Sequence, residues 1–501
     1  MKDNHIHISR RHFIKSSTAA AISAPFIHCG KPGTQKPMTR TFGKLGMDVT
    51  TLGLGGQASL QWTPPDVDPV AIILKAFDQK INYFDTSNLY GPSQLNFNKA
   101  FRQLDLVPGN AGYHESLRES IFITTKSHLR WAKGGYPVKG VNNWSNGANN
   151  KLVVDDLKRS LSQLYGDGQG NYPKGAYLNM VLIHDLNSLD EVDILFTGLQ
   201  GTDPNAEHIG ALAALRDFRD GSNLTGLNPK EEKVIRHIGF SGHYSAPVMM
   251  EMIKRDTDNL LEGMLVAINS NDRLYNNMQH NVIPVAAAKN MGVIAMKVFA
   301  DGAMYSKGAH WSNKPEHVVQ TVGAPDLPSR SLVQYSLTTP GIHTAIIGTG
   351  HIDNTDPKNC QLIQNLSAAQ ISPNALSASD REAIEAMTRK VKEGKTNYFQ
   401  VPEGGLTAPM DPMAKQSTSG EIRQVLLSWQ SAYAGPEALR SYEILRDNET
   451  IASVEHHPQT TPDPFTFSDK LSDTSAHEYR IETVDAGGNR KQTEPLIVKS
   501  I

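Results

Sequence analysis

The sequence predicts an α/β chain, with a (β/α)8 barrel over residues 39–395 and a small all-β sandwich over 421–501. Three observations carry this prediction. Short apolar runs rich in Val, Ile and Leu alternate eight times with longer amphipathic segments. Near the C-terminus the hydrophobic period changes to two. A stretch rich in Pro, Gly, Ser and Thr, 396–420, separates the two patterns and reads as a linker.

The eight runs are Thr51–Gly55, Asn82–Asp85, Ile121–Thr125, Leu178–His184, His237–Phe240, Met264–Asn269, Val293–Lys297 and Ala345–Gly348. Helical stretches lie between them, among them Val70–Gln79, Lys151–Leu164, Ala211–Phe218, Pro247–Arg255, Ile283–Lys289 and Ser329–Leu337. Eight strand–helix units are the number that closes a parallel barrel, with chemistry expected at the C-terminal strand ends. An open dinucleotide-binding sheet is disfavoured, because LGLGG at Leu52–Gly56 lacks the third glycine and the acidic partner of that fingerprint.

Composition narrows the function classes. The 501 residues are 39% apolar and 20% charged, enough for a sizeable core. The net charge of -2 and the lack of a long basic run argue against nucleic acid as a partner. Two cysteines, Cys29 and Cys360, are too few for a disulfide scaffold, an iron–sulfur cluster or a four-cysteine zinc site. No metal is expected.

The segment 1–30 reads as an address. Arg10 and Arg11 stand in SRRHFIK, ahead of a short Ser/Ala-rich apolar stretch from Ser16 to Ile27. This pattern matches a twin-arginine export signal, and the stretch is too short to span a bilayer as an ordinary helix. The expected location is therefore periplasmic or cell-envelope associated, with the twin-arginine machinery as a partner. Cys29 is the one candidate for a lipid anchor, and His28 before it is wrong for the usual lipoprotein signal.

The chemistry-bearing residues sit at strand ends. The second run leads into YFDTSNLYG with Asp85 and Tyr90, the third into ITTK with Lys126, and the fourth into VLIHD with His184. Taken singly, each has a plainer reading: Asp85 as a helix cap, Tyr90 as a packed loop aromatic, Lys126 as a solvated charge, His184 as a core histidine. His128 and His243 also compete with His184. Together the four residues resemble the Asp-Tyr-Lys-His tetrad of the aldo-keto reductase family, and the resemblance covers about residues 40–395.

That resemblance implies an NAD(P)-dependent oxidoreductase moving hydride between nicotinamide and a carbonyl or alcohol substrate. Tyr90 would be the general acid/base. A free phenol, with a pKa of about 10, is a reluctant donor, so the Lys126 ammonium is expected to pull that value down. Asp85 would hold Lys126, and His184 would position the substrate oxygen. The cofactor is NADP or NAD, with NADP favoured by the resemblance alone. Ile347, Gly348, Thr349 and Gly350 match the family's phosphate-binding strand end, and Gln364 and Asn365 its adenosine-contacting helix. Ser241 in IGFSGHY and Asn269 in VAINSN match nicotinamide contacts. The sequence departs from the family where Gly242 replaces Asn, Asn269 replaces Gln, and Met296 or Lys297 replaces the stacking Tyr. Lys358 is the only Lys or Arg in the stretch where the family often binds a 2′-phosphate.

Two long insertions are expected to rise over the catalytic face. Ser127–Asn150 carries Trp131, Tyr136 and Trp144, and Phe299–Pro328 carries Tyr305, His310 and Trp311. Aromatic rings among Asn and Gly suit a polar, ring-shaped substrate such as a sugar. In the C-terminal segment LLSWQ, SYEILRDN and YRIETVDAGGN resemble a fibronectin type III module, with Trp429, Tyr442 and Tyr479 as core and a docking role expected. Two other functions remain open: a nucleotide-binding barrel with little turnover, acting as redox sensor or scaffold, and an adhesion protein carried by its C-terminal module. Export raises one further expectation. Away from a cytoplasmic pool of NADPH, the nucleotide is either held tightly and recycled, or served by a redox partner.

Overall fold

The computed structural model describes residues 36–135, 139, 141, 152–402, 404–420 and 422–501. The expected export signal with Arg10, Arg11 and Cys29, and the loop residues Tyr136 and Trp144, lie outside them. Residues 36–501 form one compact unit.

Eight parallel strands close a TIM barrel, as the alternating pattern predicts. They are β1 (Leu52–Gly55), β2 (Tyr83–Asp85), β3 (Phe122–Ser127), β4 (Leu178–Ile183), β5 (Ile235–Gly242), β6 (Leu261–Ala267), β7 (Gly292–Met296) and β8 (Thr344–Gly348). Each pairs with its chain neighbours, and β8 returns to β1 to close the ring. The strands are apolar on both faces because side chains fill the barrel inside and helices cover it outside. Glycine is needed where walls meet closely. A Cβ on Gly239 would stand 2.3 Å from the Gly263 carbonyl oxygen.

The outer helices are α1 (Pro69–Asp78), α2 (Ser93–Gln103), α3 (Val153–Tyr165), α4 (Ala211–Asp220), α5 (Ala246–Arg255), α6 (Val282–Ala288), α7 (Ser329–Leu337) and α8 (Gln361–Ala368). Helix α1 shows the local logic. The Asp68 side chain accepts the Val70 N–H, Pro69 takes the first turn, and Ile72, Ile73 and Ala76 face the core. A hairpin of Thr39–Thr41 and Asp48–Thr50 precedes the barrel. The Phe42 ring between these two strands meets Tyr83 and Phe122 edge-on at 5.6 and 5.3 Å. Further helices at Leu189–Phe196 and Ala378–Arg389 lie outside the eightfold repeat.

The C-terminal part is all-β. It contains β9 (Met410–Ser419), β10 (Ile422–Gln430), β11 (Leu439–Arg446), β12 (Glu449–Glu455), β13 (Phe465–Leu471), β14 (His477–Asp485), β15 (Arg490–Gln492) and β16 (Leu496–Val498). One antiparallel sheet has the order β9-β10-β13, and the other β12-β11-β14-β15, with β16 also on β14. Both bury their period-two apolar residues in a shared core of Val425, Leu427, Trp429, Tyr442, Ile444, Tyr479 and Ile481.

The expected linker 396–420 is largely ordered against its neighbours. Thr396, Asn397 and Gln400 are buried against the barrel, and residues 410–419 form edge strand β9 along β10. Its sequence, MDPMAKQSTS, carries no apolar alternation because an edge strand buries little of itself. The β module docks on the loop after β6. Asn281 exchanges two hydrogen bonds with the Ala434 backbone at 3.1 and 2.8 Å, Asn277 donates to the Gly435 carbonyl at 2.7 Å, and Arg273 donates to the Pro436 carbonyl at 2.9 Å.

Candidate functional site

The ends of β2, β3 and β4 bring Asp85, Tyr90, Lys126 and His184 together. Backbone bonds fix the turn after β2. Thr86 N–H donates to the Thr124 carbonyl, Asn88 N–H to the Lys126 carbonyl, and Tyr90 N–H to the Ser87 carbonyl. Gly91 then takes a φ of 46° and leads into α2. The Lys126 Nζ sits 2.6 Å from Asp85 Oδ2, 2.8 Å from the Thr86 carbonyl oxygen and 3.4 Å from the Tyr90 hydroxyl. Both members of the Lys126–Asp85 pair are almost wholly buried. Asp85 is therefore no helix cap, and Lys126 is no solvated charge.

Burial sets the electrostatics. It lowers the Lys126 pKa against the opposing pull of Asp85, and it raises that of Asp85 against Lys126. The Tyr90 hydroxyl is pushed well above the usual phenol value, first by removal from solvent and then by the charges of Asp85, Asp185 and Asp301. This corrects the expectation that Lys126 pulls the phenol down. The ammonium sits at the long end of hydrogen-bond range and nearer Asp85, so burial and the three carboxylates outweigh it. Tyr90 holds its proton.

His184 faces Tyr90 edge-on, with ring centroids 5.7 Å apart, and its Nδ1 lies 3.2 Å from the Ser87 hydroxyl. Burial, then the charges of His128 and Lys126, drive its pKa well below the ordinary value, so the ring is neutral. The competing histidines stand close by. His128 packs against His184 at 4.2 Å. His243 pairs with Asp185 at 2.6 Å and meets the rings of Trp311 and Phe399. Asp185 holds a left-handed φ of 58°, a strain of roughly 1–3 kcal/mol that surrounding bonds must sustain.

A cleft runs from Asp85 and Tyr90 to Gln361 and Asn365, and loop residues 312–323 form one of its walls. Ile347, Gly348 and Asn365 line it, as the sequence predicts of cofactor-binding residues, and so do Phe299 and Tyr305 of the second long insertion. Gly56 also faces it, where a Cβ would stand 2.4 Å from the Asp85 carbonyl oxygen. Lys297 lies on the wall, 4.6 Å above the Trp311 ring. Lys297 and Lys307 share one carboxylate, Asp301, at 3.8 and 3.1 Å.

Other expected contacts are placed differently. Ser241 is fully buried, with its hydroxyl accepting the Asp185 N–H at 2.9 Å. Asn269 is also fully buried. Its amide donates to the Lys297 carbonyl and exchanges hydrogen bonds with Asn397. The Gly350 N–H is taken by Gln361 Oε1 at 2.7 Å, and Thr349 Oγ1 is buried with no hydrogen-bond partner. Gln364 and Lys358 are directed elsewhere. Gln364 bonds the Pro357 carbonyl, and Lys358 is exposed. The sequence reading missed Arg130, Asp185, Glu191, Asp301 and the segment Thr396–Gln400. Lys297, whose ammonium carries the cleft's cationic wall, was noted only as a substitution.

Solved structures similar to this chain include an aldo-keto reductase from Bacillus halodurans in its holo form. It is 20% identical, with 70% of this chain and 95% of that chain covered at a TM-score of 0.42. Another is an aldo/keto reductase from Klebsiella pneumoniae in complex with NADP and acetate, 15% identical, with 70% and 95% covered at a TM-score of 0.42. The family model described as the aldo/keto reductase family matches residues 51–327, more than half of the sequence and all of the tetrad. On that match, the chain belongs to the aldo/keto reductase family.

Proposed function

We propose that this protein reduces a carbonyl substrate with NADPH, with Tyr90 as the proton donor. The observation that carries the reading is the shared Lys126 ammonium, bonded to Asp85 and in reach of the Tyr90 hydroxyl at the end of a long cleft. The residues of the cleft fit a dinucleotide. Lys297 and Asp301 line the cleft, and Lys307 behind them answers the same carboxylate, so the wall carries a net positive charge for phosphate. Lys297, Gly348 and Asn365 would hold the nucleotide, which supplies the hydride when bound.

The chain's own part is positioning and proton delivery. A neutral His184 orients the carbonyl oxygen toward Tyr90. Tyr90 gives its proton to the oxygen as negative charge develops there. Lys126, neutralised by Asp85 in the resting state, then stabilises the tyrosinate. NADP is chosen over NAD by family likeness, and a sugar substrate by the exposed ring of Trp311 beside the His243–Asp185 pair.

The test is Tyr90→Phe, assayed for NADPH oxidation against a carbonyl panel. A fall in kcat of about 10²–10⁴-fold is expected, with nucleotide affinity unchanged. Reduction at the wild-type rate would overturn the assignment. A second reading, a nucleotide-binding barrel with weak turnover, is favoured by one observation: Ser241 and Asn269 spend their side chains on the protein's own backbone and amides. Bound NADPH that no carbonyl in the panel oxidises would select it.

Two further readings belong with this proposal. Segment 1–30 directs export through the twin-arginine route, which fits a nucleotide loaded before translocation. The β module is of fibronectin type III kind, supported by its division into two antiparallel sheets of three and five strands around one core, and it serves docking.

A further inference from the structure

The geometry points to Arg130 and Glu191 as positioning residues that set the His184 imidazole facing Tyr90 and the Asp185 carboxylate that holds His243, a role that rests on the tetrad reading above. Arg130 follows β3 and is fully buried. Its guanidinium donates to the carbonyl oxygens of His128 at 3.0 Å, His184 at 2.8 Å and Asp185 at 3.0 Å. These three residues belong to the strand ends that carry the site. Nη2, which faces the His184 and Asp185 carbonyls, also lies 3.0 Å from Glu191 Oε2, so its two hydrogens are shared among three acceptors, and neither side chain meets solvent.

Glu191 extends the clamp. It sits in the first turn of the Leu189–Phe196 helix, and its Oε2 also accepts the Asn187 N–H at 3.1 Å. Asn187 Nδ2 returns to the Asp185 carbonyl at 2.7 Å. On the other side, the Ser241 hydroxyl accepts the Asp185 N–H. Asp185 is thus held by its N–H and its carbonyl in the left-handed conformation that few non-glycine residues keep. That conformation sends its carboxylate to His243 Nδ1 at 2.6 Å. One residue earlier, the held His184 carbonyl fixes the ring that faces Tyr90 and rests on His128.

The fold alone does not call for this pair. Strands β3, β4 and β5 are already in register through Ser127↔Ile183 and Ile183↔Phe240. A buried ion pair is weak evidence for stability, since well-packed apolar replacements are often neutral or better. What apolar replacements cannot supply is a donor for three carbonyls that lie past the end of the ladder. A rigid, planar guanidinium supplies several donors at once, and an ammonium supplies fewer in fixed directions.

The experiment compares Arg130→Met/Glu191→Leu, which removes both charges together, with Arg130→Lys. Full-length protein is used for thermal unfolding, for kcat and KM of carbonyl reduction, and for NMR titration of the His184 ring without nucleotide. The double variant is expected to stay folded with a lower Tm, because three carbonyls lose their donor while no charge is left stranded. Its kcat should fall about 100-fold through misplacement, with nucleotide affinity unchanged, and its His184 should titrate closer to the ordinary histidine value. Arg130→Lys, with fewer donors in fixed directions, should keep more activity than the double variant, with kcat about three- to tenfold below wild type. A folded double variant with wild-type kcat and an unmoved His184 titration would overturn the role. Should the double variant fail to fold, Arg130→Lys decides alone, and wild-type kcat and His184 titration there would overturn it. If the wild type itself reduces no carbonyl, the tetrad reading fails, while the His184 titration still decides whether Arg130 sets the ring.

Discussion

The Lys126 ammonium and the Asp85 carboxylate meet at 2.6 Å with almost no solvent on either. Breaking such a pair strands a buried charge. Lys126→Met is expected to destabilise the protein by about 3–5 kcal/mol. Lys126→Met combined with Asp85→Asn should recover part of that loss, because no charge is left stranded, yet remain inactive. Urea unfolding with parallel turnover assays checks both halves. A single variant as stable as wild type would show that the pair is solvated in solution.

The raised pKa of Tyr90 predicts a directional pH dependence. A phenol that holds its proton is ready to act as an acid at every pH below its own value. Carbonyl reduction should therefore be flat from about pH 6 to 9 as far as Tyr90 is concerned. Alcohol oxidation needs the tyrosinate, and its rate should climb about tenfold per pH unit over that range without a plateau. Initial rates in both directions across pH give the answer. A plateau in oxidation below pH 9 would mean that Lys126 lowers the phenol after all.

The barrel was legible because its eight runs are apolar on both faces and strictly alternate with amphipathic helices. Asp85, Tyr90 and Lys126 were legible because one short strand and one tight turn fix their spacing locally. Ser241 and Asn269 were misplaced for the opposite reason, since their partners, Asp185 and Asn397, lie 56 and 128 residues away. Arg130 was invisible on similar grounds. A lone Arg after a strand reads as a surface charge until the end of β4 at His184 and the helix carrying Glu191 fold onto it. Edge strand β9 shows a third limit, because a strand that buries little leaves no period to read.

Asn269 separates the family pattern from this chain's own packing. Its amide is saturated by the Lys297 carbonyl, Asn397 and the Asn271 N–H, in the fully buried ground between β6 and the segment leading to the β module. Asn269→Ala should thus cost about 1–3 kcal/mol in stability through unsatisfied buried partners and change nucleotide affinity less than about threefold. Chemical unfolding and fluorescence titration with NADPH separate the two effects. A large loss of affinity at unchanged stability would restore Asn269 as a nicotinamide contact.

The docking of the β module on the catalytic end predicts that the two parts melt together. Asn281 gives one side chain to both the N–H and the carbonyl of Ala434, so Asn281→Ala leaves two buried backbone groups without their partner. The expected loss is about 1–3 kcal/mol, read as a lower Tm and as faster proteolysis within residues 402–409, where the chain crosses to β9. The tetrad lies on the far strands β2, β3 and β4, so KM and kcat for a small carbonyl should change less than about threefold. Calorimetry gives the sharper reading. Wild type should show one transition, and Asn281→Ala should begin to split it into a barrel and a module component. Two separate transitions already present in the wild type would mean that the module is tethered and not docked.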